Sequence, residues 1–382
     1  MGRTPLALYN LLHDRTRLVV AIFGVAFAVL LIFMNLGFRG ALLSTATNIY
    51  TQINADIFLI SPQSLELSST TTFPRERLYQ AAGIEGVVQV MPLYSEYLLW
   101  RNPETRISRA MFVYGINPSD PVFLMPEMQT AAAINLLQKP DAVFIDTLSR
   151  PEFGPQTTGL ETEADRRRVT IVGQYTLGGG FAADGTLIMS DQNFRRLFSP
   201  RPLDQIDVGL IRLAPGADIA RVAAALADHL PKDVTVYTKA DAIVNDQKYW
   251  LETTAIGFIF GLGVTVSFIV GTVIVYQILY TDIRDHLPEY ATLKAMGYRN
   301  FYLFQLVLQE SVILAFMGYI PGLIASLGLY QLTVNATAGS LPVTMNLPRL
   351  VFVFMLTFVM CSGSGLISVR RAMTADPADV FA

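Results

Sequence analysis

The amino-acid sequence predicts an α-helical membrane protein with four transmembrane helices and one large external α/β (α+β) domain, inserted between the first helix and the second. Of the 382 residues, 52% are hydrophobic and only 15% are charged, which is too apolar for an ordinary soluble domain. Four stretches each have about the 20 residues that a helix needs to cross a hydrocarbon layer of roughly 30 Å. They are residues 18–38, 253–281, 301–332 and 350–369. The long segment 39–252 reads as a globular domain.

The first apolar stretch is predicted to be a retained membrane helix rather than a signal peptide. The apolar core of a signal peptide has about 7–15 residues, whereas Leu18–Phe38 carries no charge over its whole length. Its many Leu, Ile, Val and Phe residues favour insertion into the bilayer.

Basic residues in the short segments predict the orientation in the membrane. By the positive-inside rule, segments 1–17, 282–300 and 370–382 are cytoplasmic. The domain 39–252 and the short loop 333–349 then lie outside the cytoplasm. The residues that carry this signal are Arg3, Arg15, Arg17, Arg284, Lys294, Arg299, Arg370 and Arg371.

Strand-like runs and helix signals follow one another in the external segment, which is the pattern of an α/β or α+β domain. A helix opens at Pro215–Asp218 and ends at Pro231, and a strand over 234–237 follows it. Residues 117–141 and 150–166 are rich in Pro, Gly, Thr and charge, and are predicted to be loops or insertions. Further strands are predicted at 56–60, 87–92, 94–100, 109–115, 143–146, 169–175, 186–190 and 207–213.

The external domain is expected to be held between two rigid helices that continue into the membrane. Residues 40–54 keep helical character, so the first membrane helix is predicted to extend as a stalk. Thr238 and Asp241 fit a capping box. The helix that starts there is predicted to run through Tyr249 and Trp250 into the second apolar stretch.

One short cytoplasmic helix is predicted over roughly 286–296. Asp285 can cap its start, Pro288 is tolerated in its first turn, and Gly297 suits a left-handed stop. Alone in water, a helix of about eleven residues is marginal, so we expect another surface to dock against it. The alternative is a helix that lies on the lipid surface or packs on its own bundle.

Small residues four apart in the apolar stretches permit close contact between helices. The sequence leaves open whether they form a dimer interface or pack helices within one subunit. Glu310, the ionisable residue inside an apolar stretch, is either a functional polar contact or an interfacial side chain. We favour the interface, because Glu310 lies only two or three turns from the cytoplasm. The small pairs are Gly257/Gly261, Ser267/Gly271 and Gly318/Gly322, of which the first two are the candidate dimer contacts.

Several classes of site are not predicted. The sequence has no GxxxxGK[ST] motif, so ATP chemistry would need a separate subunit, and Gly178–Gly180 is interpreted as a flexible turn. His13, His229 and His286 are isolated, so no metal site is predicted, and no catalytic set of residues stands out. The lone cysteine, Cys361, excludes a disulfide within the chain. A net charge of −3 does not favour a nucleic-acid partner.

Five segments of the sequence are specific enough to compare with known families. They are EYATLKAMGY at 289–298, LISPQS at 59–64, SRPEFGP at 149–155, VIVYQILYTD at 273–282 and ADPADVF at 375–381. Together they resemble the FtsX/MacB-type ABC transporter permeases, and among these the cyanobacterial DevC family, the permeases of the heterocyst glycolipid exporter. The segment EYATLKAMGY is similar to the coupling-helix signature of these permeases.

The resemblance implies a non-catalytic permease subunit without a cofactor of its own, in which a separate cytoplasmic ABC ATPase binds ATP. It also implies a homodimer in membrane lipid, a periplasmic adaptor protein and a TolC-like outer-membrane channel. The expected function is to transmit ATPase-driven motion to the periplasmic domain and so to drive export, of a lipid or glycolipid by resemblance. The residues expected to contact the ATPase are Glu289, Tyr290, Leu293, Lys294, Met296 and Gly297.

Two other functions share this predicted architecture. One is an FtsX-like transmembrane relay that controls a periplasmic hydrolase, and the other is a lipoprotein-release permease. The sequence identifies neither the cargo nor a surface that would bind it.

Overall fold

The computed structural model describes residues 15–179, 183–289, 292, 296–298, 300–337 and 339–374. The chain divides into two compact units. The helical unit comprises Met1–Gly40, Phe258–Thr333 and Val343–Ala382, and the sheet unit comprises Ala41–Gly257 and Val334–Pro342. Tyr290, Leu293 and Lys294, three of the residues predicted to contact an ATPase, lie outside the described residues.

Among the described residues, four helices are long and apolar enough to cross a membrane, as predicted: α1, α7, α8 and α9 in the order below. Together with the sheet unit they confirm the predicted fold class. The helices are α1 Arg15–Gln52, α2 Glu76–Ala82, α3 Ala131–Leu137, α4 Asp191–Leu197, α5 Ile219–His229, α6 Lys239–Lys248, α7 Ala255–Asp285, α8 Asn300–Ala336 and α9 Leu347–Thr374.

The described strands of the sheet unit form one nine-stranded sheet and one two-stranded ribbon. The order in the large sheet is β11-β1-β10-β3-β4-β8-β5-β7-β6, and β2 pairs with β9. Pairs β4–β8 and β5–β7 are parallel. The strands are β1 Ile57–Ile60, β2 Phe73–Pro74, β3 Val87–Arg101, β4 Ser108–Ile116, β5 Ala142–Asp146, β6 Glu161–Ala164, β7 Arg167–Tyr175, β8 Thr186–Ser190, β9 Gln205–Ile206, β10 Val208–Leu213 and β11 Thr235–Thr238.

Both faces of the large sheet are covered, which explains the uninterrupted apolar run of β1. Ile57 and Leu59 point into a core that α2 and α5 share. Phe58 and Ile60 point into a second core, to which the last turns of α1 contribute Ile49 and Tyr50. The side chains therefore alternate between two cores along one fully buried strand.

The predicted caps in this unit are confirmed. The Asp218 side chain accepts hydrogen bonds from the backbone N–H groups of Ala220 and Arg221, and so begins α5. The Thr238 hydroxyl accepts from the N–H of Asp241 at 3.2 Å and donates to its carboxylate at 2.7 Å. These contacts satisfy groups that an uncapped helix start would leave without partners.

The predicted continuous helix from Thr238 into the second apolar stretch is wrong. After α6 the chain makes a π-helical turn over Tyr249–Thr253, and Thr254 is extended, with φ −88° and ψ 147°. The Thr254 hydroxyl donates to the Trp250 carbonyl at 2.6 Å and accepts from the Gly257 N–H at 3.2 Å. The threonine thus ends one helix and caps the next, and we call residues 249–257 the junction turn.

The two predicted loop segments contain regular structure. Segment 117–141 holds a 3₁₀ turn at Pro126–Met128 and helix α3, whose start is capped by Thr130. Segment 150–166 holds strand β6, which returns to β3 by pairing Ala164 with Trp100. Tertiary packing against the sheet therefore overrides the local preference for loop in both segments.

Candidate functional site

Hydrogen bonds of helical type occur near both ends of the predicted coupling helix, which we call the coupling segment (286–297). The Glu289 N–H donates to the His286 carbonyl at 3.0 Å. At the other end, the Met296 N–H donates to the Thr292 carbonyl, also at 3.0 Å. Gly297 has φ +90°, which confirms the predicted left-handed stop.

Among the described residues of the coupling segment, Pro288, Glu289, Thr292 and Met296 are exposed, whereas His286 and Leu287 are half-buried. Met296 is 64% exposed, although it is a large apolar residue. Exposed methionines recur on surfaces that bind other proteins, because the flexible thioether adapts to the shape of the partner.

An ion-pair cluster anchors the start of the coupling segment to the start of α1. One carboxylate oxygen of Asp285 lies 2.6 Å from an Arg17 guanidinium nitrogen, and the other lies 3.2 Å from Arg284 Nε. The sequence predicted Asp285 as a helix cap. In the structure Asp285 is the last residue of α7 and its side chain faces the two arginines. Local sequence could not show this, because Arg17 is distant in the chain.

Glu310 is completely buried in the helical unit. The side chain therefore lies inside the helical unit, and the interfacial depth favoured from the sequence stays a prediction. The adjacent Ser311 is also fully buried, and its hydroxyl bonds to the Val307 carbonyl at 2.6 Å. Position along the sequence cannot show which side of a helix points toward its neighbours. Glu310 is buried because its side of α8 points into the helical unit.

Most of the predicted small residues pack helices within the subunit. A Cβ atom placed on Gly271 would lie 2.6 Å from Ala28 Cβ. One placed on Gly322 would lie 2.8 Å from Val29 Cβ. Ser267 is buried, and its hydroxyl bonds to the Gly263 carbonyl at 2.6 Å. Real Cβ atoms avoid such distances, so these small residues permit close packing of helices inside one copy of the chain.

The other two predicted contact residues differ from these. Gly257 lies in the junction turn, where a Cβ atom would be 2.6 Å from Leu251 Cα. Gly261 has open space around it. It belongs to an exposed apolar side of α7, which we call the α7 face and which comprises Phe258, Ile259, Leu262, Val266, Ile269 and Val273.

A buried hydrogen bond joins the stalk helices of the sheet unit. The Tyr50 hydroxyl, near the end of α1, donates to Oδ2 of Asp246 in α6 at 2.7 Å. The same oxygen accepts from the Leu67 N–H at 3.2 Å. Burial raises the pKa of the Asp246 carboxyl to about 7. This pair was not predicted from the sequence. The available signal was a polar residue, Asp246, at an inward-facing position of a helix.

Two family models match the sequence. The "MacB-like periplasmic core domain" matches residues 18–229, which is more than half of the chain. The "FtsX-like permease C-terminal" matches residues 261–377.

The sequence also matches a curated protein, the macrolide export ATP-binding/permease protein MacB of Acinetobacter baylyi. The two are 28% identical over 112 residues, which cover 29% of this chain and 17% of that protein. The chain thus matches less than a fifth of the relative's length.

Two solved structures are similar to part of the chain. The extracellular domain of the noncanonic ABC-type transporter YknZ from Gram-positive bacteria gives a TM-score of 0.35 at 16% identity, covering 48% of this chain and 100% of that one. The periplasmic region of MacB from Actinobacillus actinomycetemcomitans gives 0.37 at 11% identity, covering 50% and 92%.

Proposed function

Because the chain belongs to the FtsX-like permeases that carry a MacB-like periplasmic core domain, we propose that it is the membrane subunit of an ABC-type tripartite exporter. The observation that carries this proposal is the exposure of Glu289, Thr292 and Met296 in the coupling segment, which begins next to the ion pair of Asp285 with Arg17. The sequence lacks a phosphate-binding loop of the GxxxxGK[ST] type. A separate cytoplasmic ATPase would therefore bind and hydrolyse ATP.

The proposed ATPase contacts are the side chains of the coupling segment. Met296 would insert into an apolar groove of the ATPase, since an exposed apolar side chain gains most from burial. Glu289 and Lys294 would form polar contacts at the rim of that groove. Tyr290, Leu293 and Gly297 complete the set.

The proposed mechanism transmits motion from the ATPase to the periplasmic domain. Closure of two ATPase subunits would displace the coupling segment and, with it, α7. The extended Thr254 interrupts the helix, so we propose that the junction turn acts as a hinge rather than as part of a rigid rod. The Tyr50–Asp246 hydrogen bond would then make the two stalk helices move together.

The exporter is proposed to be a homodimer in the inner membrane, with both chain termini cytoplasmic and the sheet unit periplasmic. The α7 face, around the open Gly261, is the surface proposed to meet the second copy or membrane lipid. In the assembled pump, a periplasmic adaptor protein and a TolC-like channel would complete the path to the outside.

The proposed cargo is a lipid or glycolipid. This assignment rests on the resemblance to the DevC family. Two alternatives keep the same architecture, a relay that controls a periplasmic hydrolase and a lipoprotein-release permease. Affinity purification of the full chain from its native membrane separates them, because each requires a different partner: an adaptor with a channel, a peptidoglycan hydrolase, or a lipoprotein carrier.

Charge reversal in the coupling segment tests the proposal. We expect Glu289→Lys combined with Lys294→Glu to abolish co-purification of the ATPase and to uncouple ATP hydrolysis from export. The protein should remain in the membrane. A matched control reverses Glu104 and Arg106, two exposed charges of the sheet unit. Unchanged ATPase binding in the first double variant would overturn the assignment of the coupling segment.

A further inference from the structure

A cavity of about 300 Å³ lies in the sheet unit, beneath the segment that follows β4. Its apolar lining consists of buried side chains, namely Ile116, Val122, Phe123, Met128 and Leu137. Its mouth is polar and is lined by Ser119, Asp120 and Gln129. None of these residues belongs to the coupling segment, the junction turn or the α7 face.

Local hydrogen bonds hold the roof of the cavity in place. The Ser119 N–H donates to the Asn117 side-chain oxygen at 3.2 Å, and the Val122 N–H donates to the Asp120 carbonyl at 2.8 Å. On the opposite side, the Gln129 side chain donates to the Leu124 carbonyl at 3.0 Å. Hydrogen bonds within residues 117–129 therefore stabilise the segment that lines the cavity.

Asp120 gives the mouth a specific chemistry. It is half-buried and forms no ion pair with any residue in the described ranges. Burial raises the pKa of the Asp120 carboxyl, against the smaller opposing effects of a hydrogen bond from Asn117 and of the charge of Arg75; the charge of Asp191 acts in the same direction as burial. A carboxylate that has lost part of its water favours a ligand group that donates hydrogen bonds or carries positive charge.

We propose that this cavity binds a single-chain amphiphile, with its alkyl chain against the Phe123 and Met128 side chains and a hydroxyl or ammonium head group at Asp120. Burial of the alkyl chain against the apolar lining favours binding, and the flexible thioether of Met128 adapts to the shape of the chain. The volume corresponds to roughly ten water-sized groups and is near the lower limit, about 300 Å³, of ligand pockets. The cavity therefore takes a short chain or the end of a longer one.

The roof of the cavity is bonded directly to the end of the α1 stalk. Ile53 forms a β-bridge with Phe123, and the Leu124 N–H donates to the Gln52 carbonyl at 2.7 Å. The Asn54 N–H donates to the Val122 carbonyl at 2.8 Å. A bound ligand would therefore restrain the segment to which the stalk is attached. That the bound amphiphile is exported cargo rests on the proposed function. That the cavity binds an amphiphile does not depend on that function.

Photolabelling of the full chain in lipid nanodiscs tests the site. The probe is 3-azioctanol, an eight-carbon alcohol that carries a diazirine, and mass spectrometry locates the labelled residues. We expect saturable labelling within residues 116–137. An excess of 1-octanol or octylamine should remove it, whereas octanoate should not, because its carboxylate is repelled by Asp120. Labelling of α7 in the same sample measures partition into the membrane.

Two cavity variants and one control variant make the test specific. Ile134 is half-buried and lines the cavity, so Ile134→Trp should fill it and lower the labelling of 116–137 at least tenfold. Ile219→Trp, on an exposed position of α5, is the matched control and should leave the labelling unchanged. Asp120→Asn, which removes no packing, should keep the labelling but abolish the preference for octylamine over octanoate.

Unsaturable labelling, or equal labelling of Ile134→Trp and the unmodified chain, would overturn the proposal. Equal competition by octanoate would overturn the role of Asp120. None of these three results depends on the ATPase. A failure of the coupling-segment test with intact labelling would therefore reject the pump and leave the ligand site in place.

Discussion

The Tyr50 hydroxyl and the Asp246 carboxylate form a buried hydrogen bond of 2.7 Å between α1 and α6, across 196 positions of the chain. The Leu67 N–H shares the acceptor oxygen, so a third segment is bonded at the same point. Tyr50 also packs edge-on against Phe58 of β1, with ring centroids 5.1 Å apart. The stalk helices are therefore joined through a polar contact in an otherwise apolar core.

Removal of the Tyr50 hydroxyl should destabilise the sheet unit. In Tyr50→Phe the packing is kept, but the buried Asp246 carboxylate loses the hydrogen bond from Tyr50 and keeps those from the Leu67 N–H and the Asn245 side chain. We expect a loss of about 1–3 kcal/mol in the free energy of unfolding, measured by denaturant unfolding of the full chain in detergent. Tyr79→Phe, at a position 64% exposed, is the control and should change it little.

The stability of the sheet unit should rise as the pH falls from about 8 to 5. The pKa of Asp246 is about 7 in the folded protein, above the value of 3.8 for a carboxyl in water. Between these values the folded state binds more protons than the unfolded state, so acidification favours folding. Asp246 alone contributes a slope of at most about 1.4 kcal/mol per pH unit.

The Asp246→Asn variant isolates this contribution. Other buried carboxyls of the unit, including Glu66 and Asp146, also have raised pKa values and contribute to the slope in the same direction. The difference between the unfolding curves of the unmodified chain and the variant therefore measures Asp246. Parallel pH profiles for the two proteins would contradict the assignment.

A side chain at Gly257 should disrupt the junction turn. The Cβ atom of Gly257→Ala would lie 2.6 Å from Leu251 Cα, and backbone has little freedom to move away. We expect a loss of about 1–3 kcal/mol in stability, together with weaker coupling of ATP hydrolysis to export. Gly261→Ala, one helical turn later in open space, is the matched control for stability. Equal thermal stability of the two variants would argue against a close-packed turn.

The Arg17–Asp285 pair should matter more for coupling than for stability. Its side chains are 42% and 31% exposed, so solvent screens the attraction. In a double-mutant cycle, the effects of Arg17→Ala and Asp285→Ala on the free energy of unfolding should be small and additive. The same variants should lower ATPase-coupled export, because the start of the coupling segment loses its anchor. Strongly non-additive effects on unfolding would show that the pair is structural.

Local features of the chain were predictable where a local cause produces them. Asp218 and Thr238 begin helices because a side-chain oxygen reaches N–H groups two or three residues away. Gly297 ends the coupling segment in a left-handed conformation that favours glycine. By contrast, nothing local distinguishes Gly271, which packs against Ala28, from Gly261, which has open space around it. That difference depends on which helix lies opposite each residue.

The amino-acid sequence alone determined the four apolar helices and the α/β domain between the first two, because hydrophobic runs and capping side chains act over a few neighbouring residues. Only the tertiary structure decided the interruption at Thr254, the burial of Glu310, the Tyr50–Asp246 bond and the cavity beneath residues 117–123. Each of these arises from contacts between residues far apart in the chain or from a turn that an apolar run does not encode. Interactions between neighbouring residues therefore determine the helices and strands, whereas the packing of these elements against one another determines the sites.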